Sequence, residues 1–127
     1  MNCEKNQKEI TIGVDTGKFQ LDIHIRPLDI YFTVDNNDKG IKEALKKIKP
    51  HKPTRIVIEA TGRLEHAFII ACSEANLPFA VANPAHVKKF AGAIGRKAKT
   101  DKLDAQLIAH YGEAIKPALS SLKPESM

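Results

Sequence analysis

From Phe19 to Arg26 the chain reads F-Q-L-D-I-H-I-R, with apolar and polar residues in strict alternation. A helix returns to one side every three or four residues, so a period of two fits only an extended strand. Phe19, Leu21, Ile23 and Ile25 share one face, and Gln20, Asp22, His24 and Arg26 share the other. Turn-forming residues flank this segment, Thr16-Gly17-Lys18 before it and Pro27 to Asp29 after it. Beyond the turns, Glu9 to Val14 and Ile30 to Val34 have strand composition, the first ending at Asp15. Three strands joined by short turns predict an antiparallel meander.

Helical and extended segments alternate after the meander. Asn37 or Asp38 can cap a helix with Ile41, Leu45 and Ile48 on one stripe, and Pro50 and Pro53 end it. Arg55 to Ile58 is short and apolar, as expected of a strand covered on both faces, and it stops at Glu59. Thr61-Gly62 opens a predicted helix from Arg63 to Ala75, either as a cap or by letting a phosphate approach its N-terminus. A strand from Phe79 to Ala82 and a helix from Pro84 through Phe90 follow. A glycine-bearing basic stretch, Gly92 to Lys99, then leads to a last helix from Asp101 to Ile115 with Thr100 as its cap. The order β-β-β-α-β-α-β-α plus a further α predicts an α/β fold with a mixed five-stranded sheet flanked by helices. Residues 1–8 read as a disordered tail, 9–116 as one domain and 117–127 as a second tail. Phe19, Phe68 and Phe90 are expected in the core rather than as base-stacking platforms. The five histidines are expected at the surface or in packing.

Composition removes several classes. With 127 residues, 43% of them hydrophobic, the chain has material for a single core. The two cysteines, Cys3 and Cys72, have neither metal-ligand spacing nor a histidine cluster, which argues against a disulfide scaffold or zinc site. No apolar run approaches membrane-spanning length and residues 1–9 lack a signal-peptide core, so a cytoplasmic protein is expected. A net charge of +5 and a pI near 9.3 permit a polyanionic partner without requiring one.

Four carboxylates occupy telling places. Asp15 follows the first strand and Glu59 the fourth, while Asp101 and Asp104 stand three apart on the last helix and share a face. Sites in open α/β sheets gather at the carboxyl ends of the strands. Acids brought together there repel one another unless a cation joins them, and all-oxygen donors suit magnesium or manganese. Two such ions could activate a water and stabilise the leaving oxygen of a phosphodiester. Singly, Asp15 can equally start a turn, Glu59 can be a surface residue, and Asp101 can favour a helix N-terminus.

The segments I-G-V-D-T-G-K, I-E-A-T-G, N-P-A-H-V-K-K-F and K-A-K-T-D-K-L-D-A, in this order, resemble the DEDD-type insertion-sequence transposases related to the Piv invertase. The resemblance runs from Ile10 to Gly112. It implies a ribonuclease H-like fold similar to the RuvC Holliday-junction resolvase. Asp15, Glu59, Asp101 and Asp104 fall on that family's metal ligands and catalytic acids. The resemblance further implies DNA as substrate, two magnesium or manganese ions, a homo-oligomer, and a second domain carrying a nucleophilic serine. The sequence ends at Met127, before any such domain, so the isolated domain is expected to be incomplete for recombination. Some similar enzymes are guided by a structured RNA, which leaves such an RNA open as a partner.

A basic segment leads into the acidic pair. Lys88, Lys89, Arg96, Lys97, Lys99 and Lys102 are candidate contacts to a nucleic-acid backbone, the alternative being a solvated loop. Four other readings weigh less. Actin-like kinases and ATPases share a strand, an acid and a T-G-like turn, but need a second lobe. Gly13 to Lys18 is one residue short of a P-loop, with Phe19 in place of Ser/Thr. A structure-specific nuclease, or a nucleic-acid-binding or dimerisation remnant without catalysis, completes the alternatives.

Overall fold

The computed structural model describes residues 9–95 and 104–120 in full and the backbone of 101–103. The elements run β1 (Thr11–Thr16), β2 (Gln20–Arg26), β3 (Ile30–Asp35), α1 (Asp38–Ile48), a 3-10 turn (Lys49–His51), β4 (Arg55–Glu59), α2 (His66–Glu74), β5 (Phe79–Ala82), α3 (Pro84–Ala93) and α4 (Asp101–Ile115). The sheet order is β3-β2-β1-β4-β5, antiparallel through β1, β2 and β3 and parallel from β1 to β4 to β5. This is the expected α/β architecture on a mixed five-stranded sheet.

The two faces of the sheet differ in kind. On one, Ile12, Val14, Leu21, Ile23, Ile25, Ile56 and Ile58 pack beneath α1 and α2. α1 brings Ile41, Ala44, Leu45 and Ile48, and α2 brings Phe68, Ile69 and Cys72. The Asn37 side chain accepts from the Gly40 N–H at 2.8 Å and sets the start of α1, as its sequence predicts. On the other face a smaller cluster joins Val57, Ala82 and Val87 to Ile108 and Tyr111 of α4.

Close approach is what lets α4 lie on the second face. A Cβ on Gly13 would meet the backbone of Ala105 and Ala109, and a Cβ on Gly112 would lie 2.9 Å from the Thr11 Cγ2. Only hydrogen at these two positions allows the helix to touch the strand. The contacts also give direction. Residues 105–109 sit over Gly13 and Gly112 sits over Thr11, so α4 runs antiparallel to β1. Arg26 clamps the far end, its Nη2 2.9 Å from the Glu113 carboxylate. Beyond α4, Arg55 Nε donates to the Pro117 carbonyl at 3.1 Å, and the Ser120 N–H donates to the Phe79 carbonyl at 2.7 Å.

Four local expectations need correction. β1 runs two residues further than the sequence implied, because Asp15 pairs with Asp22 and Thr16 with Leu21, so Asp15 lies within the strand. β2 begins at Gln20; Phe19 belongs to the turn and is 78% exposed, so it is not a core residue, whereas Phe68 is fully buried. α2 begins at His66 rather than Arg63, after a loop in which Gly62 takes a φ of 102°. α3 continues to Ala93, three residues past Phe90. The predicted cap Thr100 and the tails 1–8 and 121–127 lie outside the described residues.

Candidate metal and nucleic-acid site

The topology places the site. From β1 the chain first builds outward through β2 and β3, then returns to build on the other side through β4 and β5. β1 and β4 therefore flank the point where the strand order reverses, and the carboxyl ends of such strands form a natural crevice. Asp15 lies near the carboxyl end of β1 and Glu59 is the last residue of β4. Thr11 is level with Arg55 and Gly13 with Val57. Alternation puts Asp15 and Glu59 on the face that carries Gly13 and Val57, which is the face of α4. Because α4 runs antiparallel to β1 with Ala105 over Gly13, its first turn overhangs the Asp15 end of the strand. Asp104, one residue before Ala105, comes with it.

Asp15, Glu59 and Asp104 are each half-buried. Asp101 begins α4, and its side chain lies outside the described residues. The fold thus brings the three described acids to one end of one face. Among the described residues no three Asp, Glu, His or Cys side chains stand close enough to share an ion. The chemistry of the donor set nonetheless fits a hard divalent cation: every group offered is a carboxylate oxygen.

A further acid on this face, Asp22, carries no functional signature in the sequence. Asp22 stands directly across from Asp15 in the β1–β2 ladder and is 3% exposed. Its Oδ1 accepts from the Tyr31 hydroxyl at 2.8 Å, the Thr33 hydroxyl at 2.9 Å and Gln20 Nε2 at 3.2 Å. Three donors on one carboxylate offset much of its desolvation. Asp22 forms a rigid floor beside Asp15. The alternation of β2 did place it on the face opposite Leu21 and Ile23, but nothing in that pattern reveals a helix covering that face. Its neighbour His24 is also buried, with Nε2 2.8 Å from Asp29 Oδ1.

The loop after Glu59 is tied from below. Burial would raise the Glu65 carboxyl, but hydrogen bonds from its own and the Thr61 backbone N–H, and from the Thr61 hydroxyl, hold it below the ordinary glutamate range. The Thr61 hydroxyl also lies 3.0 Å from that of Thr16 at the end of β1. Thr61 therefore accepts from no helix N–H; it ties the loop after β4 to the end of β1 and, through the Glu65 carboxylate, to the residue that precedes α2. Asn36 adds a second tie, its Nδ2 donating to the Gly17 carbonyl at 2.8 Å and to the Leu64 carbonyl at 3.1 Å.

Of the basic candidates, Lys88 and Lys89 are exposed on α3. Arg96, Lys97 and Lys99 lie outside the described residues, as does the side chain of Lys102 on α4. Among the described residues no helix is long and apolar enough to cross a membrane.

Comparison with known proteins agrees with this architecture. The chain is 28% identical over 121 residues to the pilin gene-inverting proteins of Moraxella bovis and Moraxella lacunata, covering 91% of this chain and 38% of each relative. It thus spans about two fifths of the length of the curated relatives it matches. Among solved structures it is similar to Thermus thermophilus RuvC in complex with a Holliday junction substrate. That likeness has a TM-score of 0.63 at 16% identity and covers 91% of this chain and 100% of that one. The fowlpox virus Holliday junction resolvase is more distant, at a TM-score of 0.52 and 13% identity, covering 84% of this chain and 99% of that one. These likenesses establish a ribonuclease H-like, RuvC-like fold. The family model of the IS110-type DEDD transposases matches residues 12–127, and the chain belongs to that family.

Proposed function

We propose that this chain is the catalytic domain of a DNA transposase or recombinase that acts on phosphodiester bonds through divalent cations held by Asp15, Glu59, Asp101 and Asp104. The observation that carries this reading is the course of α4. Seated on Gly13 and antiparallel to β1, it delivers its acidic first turn to the strand ends that bear Asp15 and Glu59. Two magnesium or manganese ions would supply Lewis-acid stabilisation of the scissile phosphate and an activated oxygen nucleophile. The chain's own part is to hold the carboxylates. Asp15 is fixed within a strand paired on both sides, Glu59 by the end of β4, and Asp104 by the helix contact. Lys88 and Lys89, with Arg96, Lys97, Lys99 and Lys102, would neutralise backbone phosphates at the approach to the acids. Joining of DNA ends would draw on a serine from a further domain, as in the family the sequence resembles. A guide RNA and a homo-oligomer belong to the same proposal.

The test uses the purified chain with branched and donor-end DNA in manganese, resolving nicked strands and covalent protein–DNA adducts. Nicking that disappears in Asp104→Asn, with no adduct, is expected. Nicking unchanged in that variant would overturn the assignment, and a covalent adduct would overturn the need for a further domain. A RuvC-like structure-specific nuclease would cut the branched substrate and spare the donor end.

A further inference from the structure

We infer that the β1–β2 turn is a platform on which an unpaired DNA base stacks, with Phe19 as the stacking surface and Lys18 as its phosphate partner. The inference rests on the proposed action on DNA and adds a contact that the acidic site does not contain. Single exposed apolar residues are common, so the exposure of Phe19 is only the first of several observations.

The second is rigidity. The Gly17 N–H donates to the Gln20 carbonyl at 2.8 Å, and the Asn36 N–H donates to the Phe19 carbonyl at 2.9 Å. The Asn36 side chain holds the Gly17 carbonyl as well. The turn's backbone is thus fixed on both sides of Phe19 while the ring projects into water. A fixed aromatic loses little entropy on binding, which is the condition for a useful contact surface.

The third is charge. Lys18 Nζ lies 5.4 Å from the centroid of the Phe19 ring. An aromatic face with an ammonium over it offers a base its stacking surface and the adjoining phosphate a counter-charge. Among the described residues there is one other such pair, Lys47 over Phe32 at 4.9 Å, and the contrast is informative. Phe32 packs against the main core, so its ring is already used, whereas that of Phe19 is not.

The fourth is position. Phe19 follows Asp15 by four residues, which even fully extended spans no more than about 14 Å. The turn stands at the carboxyl end of β1, where the acids gather. A strand whose phosphodiester lies at Asp15 therefore passes the turn within a few nucleotides. A paired base has its faces covered by its neighbours, so the platform selects frayed, forked or displaced strands over intact duplex.

The chain contains no tryptophan, so Phe19→Trp creates a single reporter at the platform. Without divalent metal, so that no strand is cut, forked and single-stranded DNA should quench its emission. A fully paired duplex of equal length should leave it unchanged. Phe19→Ala should melt like wild type, bind forked DNA about tenfold more weakly, and keep the wild-type salt dependence, since no phosphate contact is removed. If wild type binds no DNA at all, the proposed function falls and the platform falls with it. If wild type binds DNA but Phe19→Ala binds forked DNA equally well, or the tryptophan is quenched only by RNA, the platform alone is overturned.

Discussion

Replacing Gly13 by Ala adds one methyl group at the point where α4 rests on β1. The new Cβ would lie 2.9 Å from the Ala109 Cα and closer still to the Ala109 nitrogen and the Ala105 carbonyl oxygen. All three are backbone atoms, so no side-chain rotation relieves the clash. Ordinary contact begins near 3.4 Å. The helix must therefore retreat by on the order of 1 Å, taking Ile108 and Tyr111 away from Val57. Overpacking of this kind costs roughly 2–3 kcal/mol, which for a domain of this size lowers Tm by about 10 °C. The retreat also carries Asp104 away from Asp15, and a displacement of about 1 Å at a reacting centre can cost about a hundredfold in rate. Melting followed by circular dichroism, alongside the nicking assay, measures both effects. Gly92→Ala is the control. A Cβ there meets nothing within 4 Å, and Gly92 lies in α3, so the change should stabilise by roughly 0.5 kcal/mol. A Gly13→Ala protein as stable and as active as wild type would refute the close seating of α4 and the delivery of Asp104 that depends on it.

Asp22→Ala removes the acceptor shared by Tyr31, Thr33 and Gln20 and should cost about 2 kcal/mol in urea denaturation, with the m-value unchanged. Glu65 titrates below the ordinary glutamate range in the folded chain, so its stabilisation is present above a pH of about 4.5 and disappears as pH falls through its lower folded value. Glu65→Gln should therefore be less stable than wild type at neutral pH and lose less stability on acidification; parallel acid slopes would remove Glu65 from the account. Burial pushes the Cys72 thiol up to about 12, so in a Cys3→Ser chain at pH 8 a thiol reagent should label it only as fast as the protein unfolds, and immediate labelling would contradict the packing of α2.

Elements set by local periodicity were legible in the sequence. The Ile41, Leu45 and Ile48 stripe, a cap at Asn37 or Asp38 and the five extended segments depend on neighbours along the chain; the stripe buries as expected, Asn37 supplies the cap, and all five strands exist, with the bounds of β1 and β2 shifted by one or two residues. What was illegible depends on contacts across the fold. The alternation ending at Ile25 includes Phe19 as readily as Leu21, yet the tie from Asn36 makes Phe19 part of a turn. Asp22 looks solvent-facing on an alternating strand unless one knows that a helix covers it. That helix can lie there only because Gly13 and Gly112 lack side chains, and neither glycine carries a mark of its partner in the sequence. The start of α2 was misplaced because Thr61 donates to the Glu65 carboxylate instead of accepting from the N–H groups of a helix that starts at Arg63. The acids were visible as residue types at strand and helix ends, and the fold brings Asp15, Glu59 and Asp104 to one end of one face. Lys88 and Lys89 are exposed as a phosphate contact requires.

If Asp15, Glu59, Asp101 and Asp104 form one cation site, a thermal-melt titration with manganese reveals it. An ion that binds only the folded chain should raise Tm with concentration, by about 2.7 kcal/mol of added stability at a hundred times its dissociation constant. That rise is expected in wild type and its loss in both Asp15→Asn and Asp104→Asn, although one residue lies on β1 and the other on α4. An undiminished rise in either variant, or none in wild type, would contradict the single site.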